Sequence, residues 1–494
     1  MPAYKVKVKW GKEMYNDVEV NTDEDPLVFK AQLFAITGVP PDRQKVMIKG
    51  TTVKDESWNN IKLKEGMTVL LMGTKEELPQ EPVTKTVFME DMSDQELASA
   101  LELPPGLTNL GNSCYMNATI QCLKTVPELR DALKKFTGSI TSGNTIVPAQ
   151  SITAALRDLF SAMETCGTDF QPIILLQVLH MAFPRFAEKN DHGTFMQQDA
   201  NECWTEVMRM LQQKLSPVPY TEGANDASSA QHTNLIDQFF GGIFDSTLTC
   251  IESEEEPETH QKENFLQLSC FISADVKFML TGLKQKMQET LTKYSSVLGR
   301  DAQFKKVSKI SRLPTYLTIQ MVRFFFKEKE SINAKILKDV KFSLDLDMFE
   351  LCTEELQAKL TPMREKFKII EDKKVEEAQK AKLVPQEPPQ KSDKKKKAYP
   401  YWFEDDIGSN NSGYYELKAV LTHKGRSSSS GHYVAWIRRK PDEWFKCDDD
   451  TVSMVTSEEI LKLSGGGDWH CAYLLLYGPR VLEIEEEDEP MATS

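Results

Sequence analysis

Apolar and polar residues alternate strictly over residues 4–10, which predicts a β-strand with one buried face. A turn at Gly11 leads to a second strand, so a hairpin begins the chain. Thr22 then precedes a helical pattern that Gly38 closes as a C-cap, with apolar positions at Leu27, Ala31, Phe34 and Ala35. Four strands around this helix predict a small ββαββ domain, and they cover residues 4–10, 17–20, 45–48 and 67–72.

A second helical pattern begins at Cys114, behind a loop rich in glycine and asparagine. Apolar side chains at Met116, Ile120 and Leu123 recur at helical spacing, so we expect Cys114 in the first turn of a helix. Free backbone N–H groups at a helix N-terminus stabilise a thiolate over a thiol. With the amide of Asn109, they would hold the oxyanion that forms when a thiolate attacks a carbonyl. A buried, inert cysteine is the alternative.

A predicted hairpin near the end of the chain supplies a base for this cysteine. Residues 432–436 and 444–448 have the composition of two strands, and the charged stretch between them forms the turn. A turn centred near Lys440 puts His432 directly opposite Asp448 and Trp436 opposite Trp444.

Cys114, His432 and Asp448 then supply the nucleophile, the base and the group that orients the base in acyl-transfer catalysis. Asp449 and Asp450 leave the hairpin register open by one or two residues. An ordinary solvated cross-strand pair is the alternative for the histidine and the aspartate.

Composition limits the class of protein. A chain of 494 residues exceeds one ordinary core, which favours a small domain followed by one large domain. A formal net charge of -14 argues against a nucleic-acid partner. No apolar run is long enough to span a membrane, so we expect a soluble protein. An odd set of 9 scattered cysteines suits a reducing compartment, so we expect the cytosol, with the nucleus as a second possibility.

Composition also marks the expected boundaries. The first domain covers residues 1–74, a flexible linker 75–100, the large domain 101–481 and an acidic tail 482–494. Two low-complexity insertions of the large domain, 216–234 and 384–399, are predicted to be disordered. The acidic cluster at 252–258 and the acidic tail are predicted to be solvated.

Several ordered motifs resemble signatures of the ubiquitin-specific protease family of papain-like deubiquitinases. They cover residues 106–118, 197–202, 317–324, 431–434 and 444–449. The resemblance implies an α+β fold with fingers, palm and thumb. It also implies that Cys114 is the nucleophile, His432 the general base and acid, Asp448 its orienter and Asn109 an oxyanion donor. The activity it implies is hydrolysis of the isopeptide bond after the C-terminal glycine of ubiquitin.

The same resemblance implies a substrate channel. Asp199 and Glu202 match family positions that face the basic tail of ubiquitin, and arginines in such a tail pair well with carboxylates. Gln198 and Tyr433 lie in the same motifs and are predicted to contact the substrate as well. A solvated helical face is the alternative for the two acidic residues.

Two departures from the family pattern are mild and a third is larger. Cys447 replaces a common aromatic residue, and Ser113 replaces a common threonine. Many family members hold zinc in the fingers with two Cys-x-x-Cys pairs, but no cysteines here have that spacing, and Cys250 and Cys270 stand alone. A closed zinc site needs four ligands, so no metal and no cofactor are predicted.

The first domain resembles ubiquitin itself, most closely over residues 38–45 and at Gly50. No Gly-Gly follows its last strand, so we expect a docking module that is not conjugated. This domain order is that of the proteasome-associated members of the family. It implies docking on the regulatory particle of the proteasome and trimming of ubiquitin chains there. The face with Lys5, Lys7 and Lys9 is a candidate docking surface, although alternating lysines are usually plain surface.

Two segments are expected to gate the channel. Residues 326–337, with Phe326 and Lys335, and residues 426–431, with Ser428 and Ser429, match positions where this subfamily is thought to block the groove. The resemblance therefore implies an enzyme that is autoinhibited until it docks. Plain surface turns are the alternative.

Three functions remain open from the sequence. The leading one is a thiol isopeptidase that acts on ubiquitin chains at the proteasome. The second is a mainly non-catalytic protein that binds the proteasome and ubiquitin conjugates, with a vestigial triad. The third is a protease for another ubiquitin-like modifier.

Overall fold

The chain forms two units, each with its own core, in the computed structural model of the protein. The units are Met1–Asp91 and Met92–Ser494. The structure describes residues 3–55, 57–58, 61–75, 103–141, 147–165, 169–219, 232–327, 332–383, 396–427 and 430–485. Apart from Lys75, the expected linker 75–100 lies outside these residues.

The first unit packs one helix on a five-stranded sheet. Its elements are β1 (Ala3–Trp10), β2 (Glu13–Asn21), α1 (Pro26–Thr37), β3 (Lys45–Ile48), β4 (Thr51–Thr52) and β5 (Thr68–Met72). The strand order is β2-β1-β5-β3-β4, in which β1 and β5 run parallel. Asp25 caps α1 by accepting the N–H of Leu27, and Gly38 ends it at a φ of 73°, where a residue with a β-carbon is strained. The predicted ββαββ arrangement is confirmed, with β4 as a short addition.

The predicted face of α1 is wrong. Phe29 and Leu33 are buried against the sheet, whereas Leu27 and Phe34 are 52% and 47% exposed. The helix is apolar on both sides, so helical spacing alone does not select the buried one. Lys30 lies on the buried side and pairs with the carboxylate of Asp55.

The second unit combines a helical region with two larger sheets. Its helices are α2 (Cys114–Leu123), α3 (Pro127–Lys135), α4 (Pro148–Thr165), α5 (Ile173–Ala182), α6 (Ala200–Gln212), α7 (Leu235–Phe240), α8 (Met279–Lys286), α9 (Glu354–Leu383) and α10 (Ser457–Leu461). None of the helices within the described ranges is both long enough and apolar enough to cross a membrane.

The strands of the second unit form a central sheet, a smaller finger sheet and an isolated pair. They are β6 (Gly242–Cys250), β7 (Thr259–Phe265), β8 (Leu268–Phe271), β9 (Gln288–Ser295), β10 (Arg300–Arg312), β11 (Leu317–Val322), β12 (Phe324–Lys327), β13 (Ile332–Lys335), β14 (Asp345–Asp347), β15 (Lys396–Ala398), β16 (Tyr414–Ser427), β17 (Ser430–Lys440), β18 (Glu443–Asp448), β19 (Thr451–Thr456), β20 (Cys471–Pro479) and β21 (Glu483–Glu485). The central sheet follows the order β19-β18-β17-β16-β20-β11-β8, and the finger sheet β7-β6-β10-β9. The predicted α+β class is confirmed.

The helix that carries Cys114 is completely buried in the second unit. All 10 residues of α2 are buried. It packs between strand β17 of the central sheet and helix α6. Its polar side chains bond inward, as when the Asn117 amide donates to the carbonyl of Leu107 at 2.9 Å. The core therefore fixes the place of Cys114 relative to the strand that carries His432.

Carboxylates hold the tip of the finger sheet. Glu256 accepts hydrogen bonds from the Ser295 hydroxyl and, at 3.2 Å, from the N–H of Val297. Glu252 accepts the N–H of Gln303 at 2.7 Å. The prediction that the 252–258 cluster is only solvated is wrong for these two side chains. Turn N–H groups need an acceptor, and an adjacent carboxylate is a strong one.

The two lone finger cysteines lie in apolar surroundings. Cys250 packs with Ala302 and Phe304 near the fingertip, and Cys270 is buried in the core of the central sheet. Burial raises the pKa of the Cys270 thiol to about 11.

Two charge-rich segments pair with each other, one that was expected to be disordered and one that was expected to be solvated. Strand β15, at the end of the 384–399 insertion, is antiparallel to β21, the start of the acidic tail. Lys396 lies opposite Glu485 in the register of this ladder. The expectation of disorder is therefore wrong for residues 396–398. It is also wrong for Asn234, whose side chain caps α7 by accepting the N–H of Asp237 at 2.8 Å. Residues 220–231 and 384–395 lie outside the described residues.

We predict that Glu256→Gln loosens the fingertip without unfolding the domain. The neutral amide is a weaker acceptor for the hydroxyl and N–H of the 295–297 turn. Amide hydrogen exchange is expected to speed up in residues 295–303, with no change in the central sheet. Glu255→Gln is the matched control, because the Glu255 side chain is exposed in the same loop. Equal exchange in the two variants would contradict the assigned role.

Candidate active site

The loop before Cys114 is shaped by its own side chains. The Asn109 carbonyl oxygen accepts the N–H groups of Gly111 at 3.0 Å and Ser113 at 3.2 Å. Gly111 and Asn112 both adopt positive φ angles, 97° and 56°, which turn the chain sharply into the helix. Cys114 is the first residue of α2 and is 2% exposed. The thiol therefore lies at the N-terminus of a buried helix, as the sequence predicts.

His432 and Asp448 meet across the hairpin of β17 and β18. His432 Nε2 lies 2.6 Å from Asp448 Oδ1. The Cys114 thiol lies close enough to the His432 ring to contribute to the rise in its pKa. The structure thus brings together all three residues that the sequence predicts, from two segments more than 300 positions apart.

The predicted register of this hairpin is wrong by two residues. Trp436 pairs with Lys446, and Arg438 pairs with Trp444. The strands extend to a tight turn after Lys440, and an irregularity near that residue shifts the ladder. His432 and Asp448 are therefore diagonal rather than direct neighbours, a separation that a histidine and an aspartate side chain still bridge.

Hydrogen bonds and charge keep the pair ionised. The hydrogen bond to Asp448, followed by that to Cys114, raises the pKa of His432 to about 10. The hydrogen bond to His432 holds the pKa of Asp448 well below its usual range, and Lys446 adds to this effect. An imidazolium at neutral pH is the proper partner for a thiolate.

Asp449 ties the hairpin to the cysteine loop. Its Oδ2 accepts the Asn109 amide at 2.8 Å, and its Oδ1 accepts the Asn117 amide at 2.9 Å. Its backbone carbonyl accepts the N–H of Leu107 at 2.8 Å. Burial raises the pKa of this carboxyl. In the sequence Asp449 is only an ambiguity of register, and no local pattern shows that it reaches back to the loop.

The Asn109 amide is directed at Asp449 in this structure, so one of its two N–H donors is engaged. Its function as an oxyanion donor stays a prediction.

A second residue that sequence reasoning misses lies against the nucleophile. Gln197 is 9% exposed, and its side-chain Nε2 lies 3.4 Å from Cys114 Sγ. The motif at 197–202 contains two adjacent glutamines, and the prediction names Gln198. Adjacent residues of an extended segment point to opposite sides, so only one of the pair can face the thiol.

The predicted substrate-binding residues differ in their surroundings. Asp199 caps α6, accepting the N–H of Asn201 at 2.7 Å, and both its oxygens accept the Tyr473 hydroxyl at 2.7 to 2.9 Å. Burial raises its pKa. Asp199 is thus already bonded within the chain, whereas Glu202 is exposed and lies 3.4 Å from Arg185. Tyr433 is fully buried, so the structure offers it no contact with a substrate.

The two expected gate segments are joined to each other. The first forms the hairpin of β12 and β13, in which Phe326 pairs with Asn333. Ala334 of this hairpin then pairs with Ser427, at the end of β16. Ser428 and Ser429 lie outside the described residues.

Lys335 attaches the first gate segment to strand β16. Its ammonium group donates to the backbone carbonyl of His423, and the side chain is buried. Burial lowers the pKa of Lys335 to about 8. The imidazole of His423 is itself fully buried, which lowers its pKa to about 3 and keeps it neutral.

One group of three potential metal ligands occurs in the part of the chain that the structure describes, and it consists of His432, Asp448 and Asp449. Each of these side chains already takes part in hydrogen bonds within the β17–β18 hairpin or between it and the segment around Cys114. The donor set therefore fits a histidine held by a carboxylate rather than a metal centre.

Comparison with known proteins agrees with this geometry. The family model described as ubiquitin carboxyl-terminal hydrolase matches residues 105–477. "Ubiquitin carboxyl-terminal hydrolase 14" of Caenorhabditis elegans is 42% identical over 491 residues, covering 98% of this chain and 95% of the relative. "Ubiquitin carboxyl-terminal hydrolase 6" of Arabidopsis thaliana is 40% identical, with 97% and 99% covered. "Ubiquitin carboxyl-terminal hydrolase 6" of Schizosaccharomyces pombe is 37% identical, with 96% and 98% covered.

We predict that Cys114→Ala lowers the pKa of His432 and that Asp448→Asn lowers it further, because the Asp448 hydrogen bond is the larger cause of the rise. Titration of the His432 ring by NMR measures both. The sign also applies to stability, since a raised pKa means that the folded state holds the proton more tightly. This contribution is complete below the ordinary pKa of 6.5 and is lost as the pH rises through about 10. An unchanged titration in Asp448→Asn would contradict the pairing.

We predict that Asp449→Ala lowers kcat/KM about 10- to 100-fold, because Asn109 and Asn117 lose their shared acceptor. Asp450→Ala is the matched control, since Asp450 is exposed and its carboxylate accepts from the hydroxyl of its neighbour Thr451. The double variant Asn109→Ala, Asp449→Ala is expected to lose little more than either single variant. Additive losses would show that the two residues act separately.

Proposed function

The chain belongs to the ubiquitin carboxyl-terminal hydrolase family, and from that membership we propose that it is a deubiquitinase that docks on the proteasome and is gated until it docks. Its thiol-dependent deubiquitinase activity follows from the family. The residues that perform the chemistry, the docking and the gating are the parts that are proposed. The observation that carries the assignment of residues is the contact of His432 with both Asp448 and Cys114.

The first chemical step forms a thioester. The Cys114 thiolate attacks the carbonyl carbon of the C-terminal glycine of ubiquitin, and the carbonyl oxygen becomes an oxyanion. We propose that the backbone N–H groups at the start of α2 and the side-chain amides of Asn109 and Gln197 supply donors to this oxyanion. His432 then gives its proton to the lysine nitrogen as the C–N bond breaks, so the amine leaves neutral.

The second step releases ubiquitin. The imidazole of His432, now neutral, takes a proton from water as the water oxygen attacks the thioester carbonyl. The C–S bond breaks, ubiquitin leaves as a carboxylic acid that gives its remaining proton to solvent, and the Cys114 thiolate pairs again with the imidazolium. Asp448 keeps the ring oriented through both steps by accepting from Nε2.

The exposed sheet face of the first unit supports docking. Met14, Lys9, Leu70 and Met47 lie in one line across four strands. Met14 is 53% exposed and Leu70 is 38% exposed. An apolar centre edged by the lysines of β1 fits a partner surface that is apolar with acidic groups around it. We propose that this face, rather than the lysines alone, contacts the proteasome.

The contacts between the gate segments support gating. The Ala334–Ser427 pair links the two segments. Lys335 of the first segment donates to the carbonyl of His423 on strand β16, which leads into the second segment. Segments joined in this way move together, so a partner that displaces one also displaces the second. We propose that docking displaces the two joined segments together and frees the channel to Cys114.

Hydrolysis of a ubiquitin C-terminal fluorogenic reporter tests the proposal. Wild-type protein and Cys114→Ala are each measured with and without purified proteasomes. We expect activity that needs Cys114 and rises at least about tenfold on adding proteasomes, because each 1.4 kcal/mol of gate closure lowers the open population tenfold. Equal rates with and without proteasomes would contradict gating. No hydrolysis in either condition would favour the non-catalytic binding function.

A matched pair of variants separates docking from catalysis. Leu70→Asp places a charge in the exposed sheet face, and Phe34→Asp places one on the equally exposed side of α1. We expect Leu70→Asp to abolish stimulation by proteasomes and to leave the basal rate unchanged, whereas Phe34→Asp retains stimulation. The reverse pattern would assign docking to the helix.

A further inference from the structure

The carboxylate of Asp448 has a second cation beside it. Its Oδ1 lies 2.6 Å from Nε2 of His432, and its Oδ2 lies 2.8 Å from Nζ of Lys446. Lys446 and Asp448 are two residues apart on β18, so their side chains leave the strand on the same side. One carboxylate is therefore shared between an imidazole and an ammonium group.

The protein holds Lys446 in place. It pairs with Trp436 across the β17–β18 ladder, and its Nζ lies 5.8 Å from the centre of that indole ring. The indole N–H donates to the Thr422 hydroxyl at 2.9 Å, and the same hydroxyl lies 3.2 Å from His470 Nδ1. The Lys446 side chain is 30% exposed, so its position is fixed by aromatic and charged neighbours rather than by solvent alone.

Other ionisable groups also lie around His432 and Asp448. Cys114 faces His432 from α2, and Asp449 follows Asp448 in the turn. Lys424 pairs with His432 across the β16–β17 ladder, and His470, which precedes β20, lies 6.2 Å from the His432 ring. Burial keeps His470 neutral by lowering its pKa to about 4. Within the described residues, Lys446 is thus the ammonium group that forms an ion pair with Asp448.

We propose that Lys446 is a positioning residue of the catalytic site, which limits how tightly Asp448 holds the proton on His432 by occupying the second oxygen of that carboxylate. The inference rests on the proposed roles of Cys114 and His432. A carboxylate with one cationic partner stabilises that partner's charged form strongly, and a second cation on the same carboxylate competes for its negative charge. The ammonium group also repels the imidazolium directly.

The two half-reactions make opposite demands on His432. Formation of the thioester needs an imidazolium that gives its proton to the leaving amine. Hydrolysis of the thioester needs a neutral imidazole that takes a proton from the attacking water as the C–S bond breaks. At neutral pH, a ring with too high a proton affinity is protonated for the first step but is seldom neutral for the second. Lys446 therefore favours release of ubiquitin from Cys114.

The direct test is NMR titration of His432 in the Cys114→Ala background, in which no substrate is needed. We expect Lys446→Met to make His432 bind its proton about three- to tenfold more tightly. Methionine keeps the apolar stem against Trp436, and Lys446→Gln serves as a second neutral variant if the first fails to fold. Lys446→Arg retains the charge and is expected to leave the titration unchanged. Lys440→Met is the matched control, because it removes one ammonium group from the same hairpin, beside Glu443 rather than Asp448.

Pre-steady-state kinetics, with Cys114 intact and substrate in excess, gives the second readout. We expect Lys446→Met to accumulate the thioester in a larger burst, with the rate of thioester formation unchanged. We also expect it to lower kcat at neutral pH by about the three- to tenfold factor that the titration gives. An unchanged or weaker proton affinity in Lys446→Met, or an equal rise in Lys440→Met, would overturn the proposal. If the wild type hydrolyses no reporter, that result contradicts the proposed function instead. The substrate-free titration still tests the role of Lys446, because it needs no turnover.

Discussion

The contact between the Asp449 turn and the loop before Cys114 is the constraint on which the site depends. One aspartate accepts from Asn109 and Asn117 through its side chain and from Leu107 through its backbone. Without it, the helix that carries Cys114 and the hairpin that carries His432 would be held together mainly by apolar packing, which does not set positions to fractions of an ångström. Directed hydrogen bonds convert a hydrophobic junction into a site with one geometry.

Features set by residues close together in the sequence were predictable, and features that depend on contacts between distant segments were not. The start of the helix at Cys114 and the cap at Gly38 follow from residues a few positions apart. The register between Trp436 and Lys446 depends on an irregularity near the turn that composition does not reveal. The buried side of α1 depends on where a sheet lies, because both sides of that helix are apolar.

Long-range polar contacts account for the remaining errors. Gln197 and Gln198 look alike in sequence, but only the first lies against the thiol. Asp199 resembles a tail-binding carboxylate, yet its oxygens accept from the start of α6 and from Tyr473, more than 270 positions away. A charged residue in a polar stretch is by default solvated, so only the folded chain distinguishes an anchor from a surface group.

The fingertip is held by a different kind of clamp from the one that the family pattern suggests. Elsewhere in this family a metal held by four thiolates is the expected clamp, whereas here Glu252 and Glu256 gather the turn N–H groups. Thiolates must be deprotonated to bind a metal and are open to oxidation, and carboxylates have neither requirement. Carboxylate clamps lose their charge on protonation and are screened by salt, so the shape of this fingertip depends on acidity and ionic strength.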